Sequence, residues 1–255
     1  MSGAAYLPDE AHHGRRGDLD AVVDRIGHQH PDVNGGWLRA SVFGAMDGLI
    51  SNCALIAGMV GGTAGGAHTA VVLAGMGGLA GGALSMAVGE YNSVASQSEF
   101  VQAEVDKERA EILANPQGET AELAALYVQK GIDPDTAAAM AQQVHRDLDH
   151  AVAVHAMEEF GVDPSGVPSP WVAAFSSFLS FTLGAAVPLA PYLFGLDSLW
   201  WAVVMTLTAL FVCGAIVARV TVRSWWWSGL RQMLLGGAAA AVTYLFGSLV
   251  GAGLG

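Results

Sequence analysis

Five glutamates between positions 104 and 122 stand at spacings that gather negative charge. On a helix Glu104, Glu108 and Glu111 fall at i, i+4 and i+7 and share one face. Beyond a break at Asn115-Pro116, Glu119 and Glu122 repeat the i, i+3 spacing. Like charges so placed repel by roughly a few tenths of a kcal/mol per pair unless a cation sits between them. The chemistry on offer is binding of a multivalent cation; the plain alternative is a solvated acidic face. Two further acids lie inside apolar runs, Asp47 midway along the first and Glu90 near the end of the second. A central acid costs about 2.5–3.5 kcal/mol to insert in a bilayer, which makes Asp47 a functional candidate. Its alternative is a structural acid, hydrogen-bonded to Ser51 or Asn52. Met86 lies one turn from Glu90 on the same face (i, i+4). Its thioether beside a carboxylate suits a transition-metal dication better than Mg²⁺ or Ca²⁺.

Those side chains need elements to hold them, and composition says which kind. The chain is 53% hydrophobic and 13% charged, with a mean hydropathy of +0.42. Soluble domains carry about 25% charged residues, so this is a membrane composition. Apolar runs near 38–61, 68–92, 170–194, 198–219 and 228–253 are each about the 20 residues that cross 30 Å of hydrocarbon. Gly78-x-x-x-Gly82 and Gly247-x-x-x-Gly251 are close-packing spacings. Pro188 and Pro191 should kink or end the third run. Trp37, Trp171, Trp200 and Trp225 to Trp227 sit near run ends, as aromatic belts do. Cys53 and Cys213 have no CxxC spacing, so neither a disulfide framework nor a zinc site is expected. The polar first 36 residues and the length of the first apolar run speak against a cleaved signal.

The net charge of −12 is concentrated. Residues 99–163 hold 14 Asp/Glu against 4 Lys/Arg, a balance of −10. With no basic patch to neutralise phosphates, nucleic acid is not an expected partner. All 11 Lys and Arg fall in or at the edges of the N-terminal arm (Arg39 just beyond it), the acidic segment and the fourth connection, which five crossings place on one side. The positive-inside rule makes that side cytoplasmic and puts the C-terminus outside. The arm, residues 1–36, has a short helical candidate at 19–26 and carries His12, His13, His28 and His30. The acidic segment parses as three helices: a continuation of the second span to Ala114, one from Glu119 to Lys130 before Gly131, and one from Asp133-Pro134 to Phe160 before Gly161. On the last of these Val144, Leu148, Val152, His155 and Glu159 form a single stripe, an apolar seam that ends in candidate ligands.

Together these residues resemble the vacuolar iron transporter family. The likeness runs from Gly36 to the C-terminus. It rests on Arg39-Ala-Ser-Val-Phe-Gly-Ala-Met-Asp-Gly-Leu-Ile-Ser-Asn52, Ser85-Met-Ala-Val-Gly-Glu-Tyr91, the Glu108/Glu111/Glu119/Glu122 spacing across Pro116, Glu158-Glu-Phe-Gly161 and the proline-bearing third span. The resemblance implies an all-α homodimer of five-span subunits that moves Fe²⁺ out of the cytosol in exchange for protons. The composition along the chain divides it into 1–36 (arm), 37–94 (spans 1 and 2), 95–165 (an acidic three-helix segment) and 166–255 (spans 3 to 5), and the resemblance makes 95–165 a cytoplasmic metal-binding domain. Asp47 and Met86 would line the transport path at the subunit interface, with Glu90 as a further path candidate. Glu108, Glu111, Glu119, Glu122 and Glu159 would collect metal, with Glu104 and Glu158 as further candidates. Where the family often has methionines late in the third cytoplasmic helix, this chain offers His155, Ala156 and Met157.

Oxygen ligands suit Fe²⁺ and Mn²⁺, and Co²⁺, Ni²⁺ and Zn²⁺ are also candidates. A lone Asp47 in a low-dielectric path favours its neutral form when empty, and an arriving dication expels the proton. Two rivals belong to other classes. A membrane di-iron oxidase wants Glu-x-x-His on two helices, and the segment has only Asp147-x-x-His150. A membrane-anchored metal sensor or scaffold would bind without flux. The Gly- and Ala-rich composition points to a bacterial plasma membrane, or the vacuolar membrane in a eukaryote.

Overall fold

The computed structural model describes residues 36–63, 68–220 and 223–254. The N-terminal arm, with its helical candidate and four histidines, lies outside the described residues. Those described form eight α-helices and one 3₁₀ turn, with no strand among them. The helices are α1 Gly36–Gly62, α2 His68–Ala114, α3 Pro116–Gln129, α4 Pro134–Val144, α5 Leu148–Phe160, α6 Pro170–Leu193, α7 Leu199–Val220 and α8 Trp225–Leu254. Five of them, α1, α2, α6, α7 and α8, are long and apolar enough to cross a membrane, as the hydropathy pattern predicts. At 1.5 Å per residue α2 is about 70 Å long, more than twice the hydrocarbon thickness. Its second half therefore projects beyond any bilayer and presents the glutamates.

α1 is the centre of the bundle, packed chiefly on α6 and then on α8, while α2 also packs on α6. Glycine permits the closest crossings. A Cβ on Gly48 would lie 2.3 Å from the Phe181 carbonyl oxygen of α6, and one on Gly184 2.3 Å from that of Ala45. On the other side of α1, a Cβ on Gly247 would meet the Gly58 oxygen at 2.0 Å. With lipid as apolar as the side chains, such backbone contact supplies much of the association. α6 runs through both Pro188 and Pro191 and stops at Leu193, two residues after the second. Gly195 then takes a positive φ of 77° to turn the chain. α8 starts at Trp225, three residues earlier than its apolar run.

Between α2 and α6 the parse of the acidic segment needs two corrections. α3 begins at Pro116 and not at Glu119, because Asn115 caps it, accepting a hydrogen bond from Gly118 N at 3.1 Å, with proline at the first helical position. The long helix expected from Pro134 to Phe160 is two helices. Asp147 breaks it: its side chain accepts from His150 N at 2.8 Å and so starts α5 afresh. Gly131 and Gly161 take positive φ values after α3 and α5, as expected of helix-ending glycines. The predicted apolar seam survives the break. Val144 and Leu148 pack with Val105, Ile112, Ala151 and Val152, seating α5 along α2. Leu123 and Tyr127 of α3 pack on Ala137 and Ala141 of α4.

Candidate functional site

Two groups of candidate residues are far apart along α2. The first lies within the spans. Asp47 is one residue before Gly48, so while Gly48 is pressed against α6 the aspartate turns away, by about 100°, into a cleft between α1 and α2. Asp47, Ser51, Asn52, Leu55, Gly78, Gly82, Ser85, Met86 and Phe181 line this cleft of about 240 Å³. Asp47 and Met86 thus share one space. Neither neighbour proposed as a structural partner satisfies the aspartate. Ser51 donates to the Asp47 main-chain oxygen at 2.6 Å, and Asn52 Nδ2 donates to the Ala185 oxygen at 2.7 Å. No hydrogen bond among the described residues reaches the Asp47 carboxyl. Asn52 is buried, and its Oδ1, on the cleft side, has no hydrogen-bond partner. Sequence reading placed Asn52 beside Asp47 only as a possible partner, since nothing in the spacing shows which amide atom is spent on α6.

Glu90 is not among the cleft-lining residues. Its buried carboxylate pairs with Arg39 at 2.6 Å, tying α1 to α2. Eight residues separate Arg39 from Asp47, about 12 Å along the axis, so this ion pair stands beyond one end of the cleft. Next to it Tyr91 packs on Trp171, with ring centroids 4.8 Å apart.

The second group forms where α2, α3 and α5 meet. Ligand atoms of Glu108, Glu119 and His155 all lie within 4.8 Å of one another. His155 is fully buried and Glu108 nearly so. His155 Nδ1 lies 2.9 Å from Oε1 of both Glu108 and Glu159, but only Glu159 is aligned for a hydrogen bond. Glu108 Oε1 is left buried without a partner. Burial, followed by the charge of Glu159, pushes the Glu108 carboxyl up to about 7; Glu119 and Glu111 add to this and His155 opposes it. Glu119 is also raised, first by burial and then by Glu122. These are carboxylates held short of the counter-charge that a dication would supply.

The remaining candidates are less closely placed. Glu111 and Glu122 are exposed, and act on the cluster through their charge. Glu111 also lies 3.9 Å from Lys107. Glu104 is half-buried one turn before Glu108 and outside the convergent set. Glu158 is paired with Lys130 instead. Met157 is 48% exposed, because two residues along a helix face away from each other and His155 takes the inward face. One participant was missed: His145, whose Nε2 lies 3.3 Å from His155 Nε2.

A sequence model of the VIT family matches residues 38–248. The chain is 35% identical over 235 residues to a vacuolar iron transporter of Acanthamoeba castellanii, covering 89% of this chain and 79% of that protein. It is 29% identical to vacuolar iron transporter 1 of Oryza sativa subsp. japonica, covering 88% and 91%. With a vacuolar iron transporter of Toxoplasma gondii it shares 30% identity, over 87% and 76%.

Proposed function

The chain belongs to the VIT family, and from that membership we propose that this integral membrane protein is a proton-coupled antiporter that moves Fe²⁺, and with it Mn²⁺ or similar dications, out of the cytosol. What supports transport over binding alone is Asp47, a carboxyl inside the spans that shares a cleft with Met86 and receives no hydrogen bond from the described residues. An acid with no cation beside it in a low-dielectric cleft favours its neutral form. A dication reverses that preference, so its arrival releases the proton. In a two-fold homodimer two Asp47 carboxyls release two protons and balance one 2+ ion, which makes exchange electroneutral. Met86 adds a soft sulfur that Mg²⁺ and Ca²⁺ do not reward.

Cytoplasmic placement of the glutamate cluster follows from the basic residues that flank it. There it raises the local cation concentration at the entrance, with Glu108, Glu119, Glu159 and His155 as ligands and Glu111 and Glu122 as field. Glu90, held by Arg39, stands between the cluster and the cleft. The test is Fe²⁺ or Mn²⁺ uptake into proteoliposomes under an imposed pH gradient. Wild type should accumulate metal and move protons oppositely, whereas Asp47→Asn, which has no proton to exchange, should be silent. Binding without flux in wild type would instead favour a sensor or scaffold. Flux in Asp47→Asn equal to wild type removes the aspartate from the mechanism.

A further inference from the structure

The ring nitrogens of His145 and His155 make more contacts than two neutral imidazoles have N–H groups to fill. The ring nitrogens of His145 and His155 face a carbonyl, each other and the glutamates, three places in all. His145 Nδ1 meets the Ala141 carbonyl oxygen at 2.9 Å, the two Nε2 atoms meet at 3.3 Å, and His155 Nδ1 meets Glu159 and Glu108 at 2.9 Å. Two neutral imidazoles bring only two N–H groups to these three contacts. A carbonyl can only accept, so His145 carries its hydrogen on Nδ1 and presents a lone pair at Nε2. The Nε2–Nε2 contact then requires the N–H of His155, because two lone pairs facing each other there would repel. His155 then has no N–H left for Nδ1, so its 2.9 Å hydrogen bond with Glu159 needs one more proton, whose place a dication can take. Glu108 Oε1, buried and unpartnered, borders the same point. The ring planes stand 85° apart with centroids 5.1 Å apart, and the two Nε2 atoms lie between them.

We infer that His145 is a positioning residue that fixes His155 in the tautomer whose Nδ1 ligates a transition-metal dication together with Glu108, Glu119 and Glu159. This rests on the metal-collecting role proposed above. A nitrogen donor among carboxylates selects Fe²⁺, Co²⁺, Ni²⁺ or Zn²⁺ over Mg²⁺ and Ca²⁺, which take oxygen. His145 would orient the His155 ring by accepting a hydrogen bond from the nitrogen far from the metal.

The test uses full-length protein in detergent, titrated with Co²⁺ and followed by its visible d–d absorption, with Glu108→Gln as the baseline that separates this site from other histidines. His145→Leu should weaken the Glu108-dependent Co²⁺ binding at least about tenfold. His145→Gln, whose amide oxygen can accept the Nε2–H, should restore it to within about threefold of wild type. Unchanged metal-free melting temperatures show that both variants fold. On Cu²⁺, the spin-echo modulation from the remote imidazole nitrogen reports that nitrogen's hydrogen bond; it should change in His145→Leu and return in His145→Gln, which a merely structural residue would not produce. Excess Mg²⁺ should not displace Co²⁺. Equal Co²⁺ affinity in wild type and His145→Leu overturns the role of His145 and leaves the collecting site standing. Absence of any Glu108-dependent Co²⁺ binding in wild type overturns the collecting site, and this inference with it.

Discussion

Asp47 stands in its cleft with no second acid among the lining residues, whereas Glu108 is buried within reach of the charges of Glu159, Glu119 and Glu111. The cleft offers few ligands and a single acid; the cluster offers many ligands and crowded charge. An ion that must leave again is better served by the first, because a site that binds tightly releases slowly. An ion that must be gathered from a dilute pool is better served by the second. α2 joins the two, since its apolar half lines the cleft and its polar half carries Glu108.

That contrast can be broken in order of expected effect. Asp47→Asn should reduce pH-driven flux to that of protein-free liposomes while leaving Co²⁺ binding at the cluster unchanged. Glu108→Gln should do the reverse, lowering cluster affinity about 10- to 100-fold and leaving substantial flux at saturating metal. Loss of flux at saturating metal in Glu108→Gln would show that the cluster belongs to the path itself.

The pH dependence sharpens the comparison further. With the Glu108 carboxyl raised from 4.5 to about 7, metal binding displaces a proton below that pH and none from this group above it. Cluster affinity measured by titration calorimetry should therefore fall as pH drops below 7, by about tenfold per unit for one displaced proton. The sign for stability is opposite to that of an ion-paired carboxylate. Between 4.5 and about 7 the folded chain binds more protons than the unfolded one, so metal-free stability from this group falls as pH rises through that window. Saturating Co²⁺ should flatten the trend in melting temperature.

A smaller effect tests how the cleft is held open. Gly48→Ala places a methyl 2.3 Å from the Phe181 oxygen, and overpacking of that kind costs about 1–3 kcal/mol, read as a lowered melting temperature in detergent. Met157→Ala should change cluster affinity less than about twofold, since its side chain is exposed on the opposite side of α5 from His155. A large loss of affinity there would restore the methionine as a ligand.

The five spans were legible because the bilayer imposes one length and one composition on whatever crosses it. Glu108, Glu119, Glu159 and His155 were legible as candidates because helical spacing places like side chains on one face. The ends of α3 and the division of α4 from α5 were less so. Pro116 suits a first helical turn as well as a break, and Asp147 is one of several polar residues until its side chain is seen capping His150.

Sequence by itself determined the membrane class, the sidedness signal and the inventory of carboxylates, all of which depend on local composition and periodicity. Tertiary structure decided which of those groups are satisfied. It gave Glu90 to Arg39 and Glu158 to Lys130, and left the Asp47 carboxyl and Glu108 Oε1 with no hydrogen bond from the described residues. It also brought His145 to His155. On an unbroken helix ten residues would set them about 15 Å apart along the axis, so only the turn at Asp147 lets the two imidazoles meet.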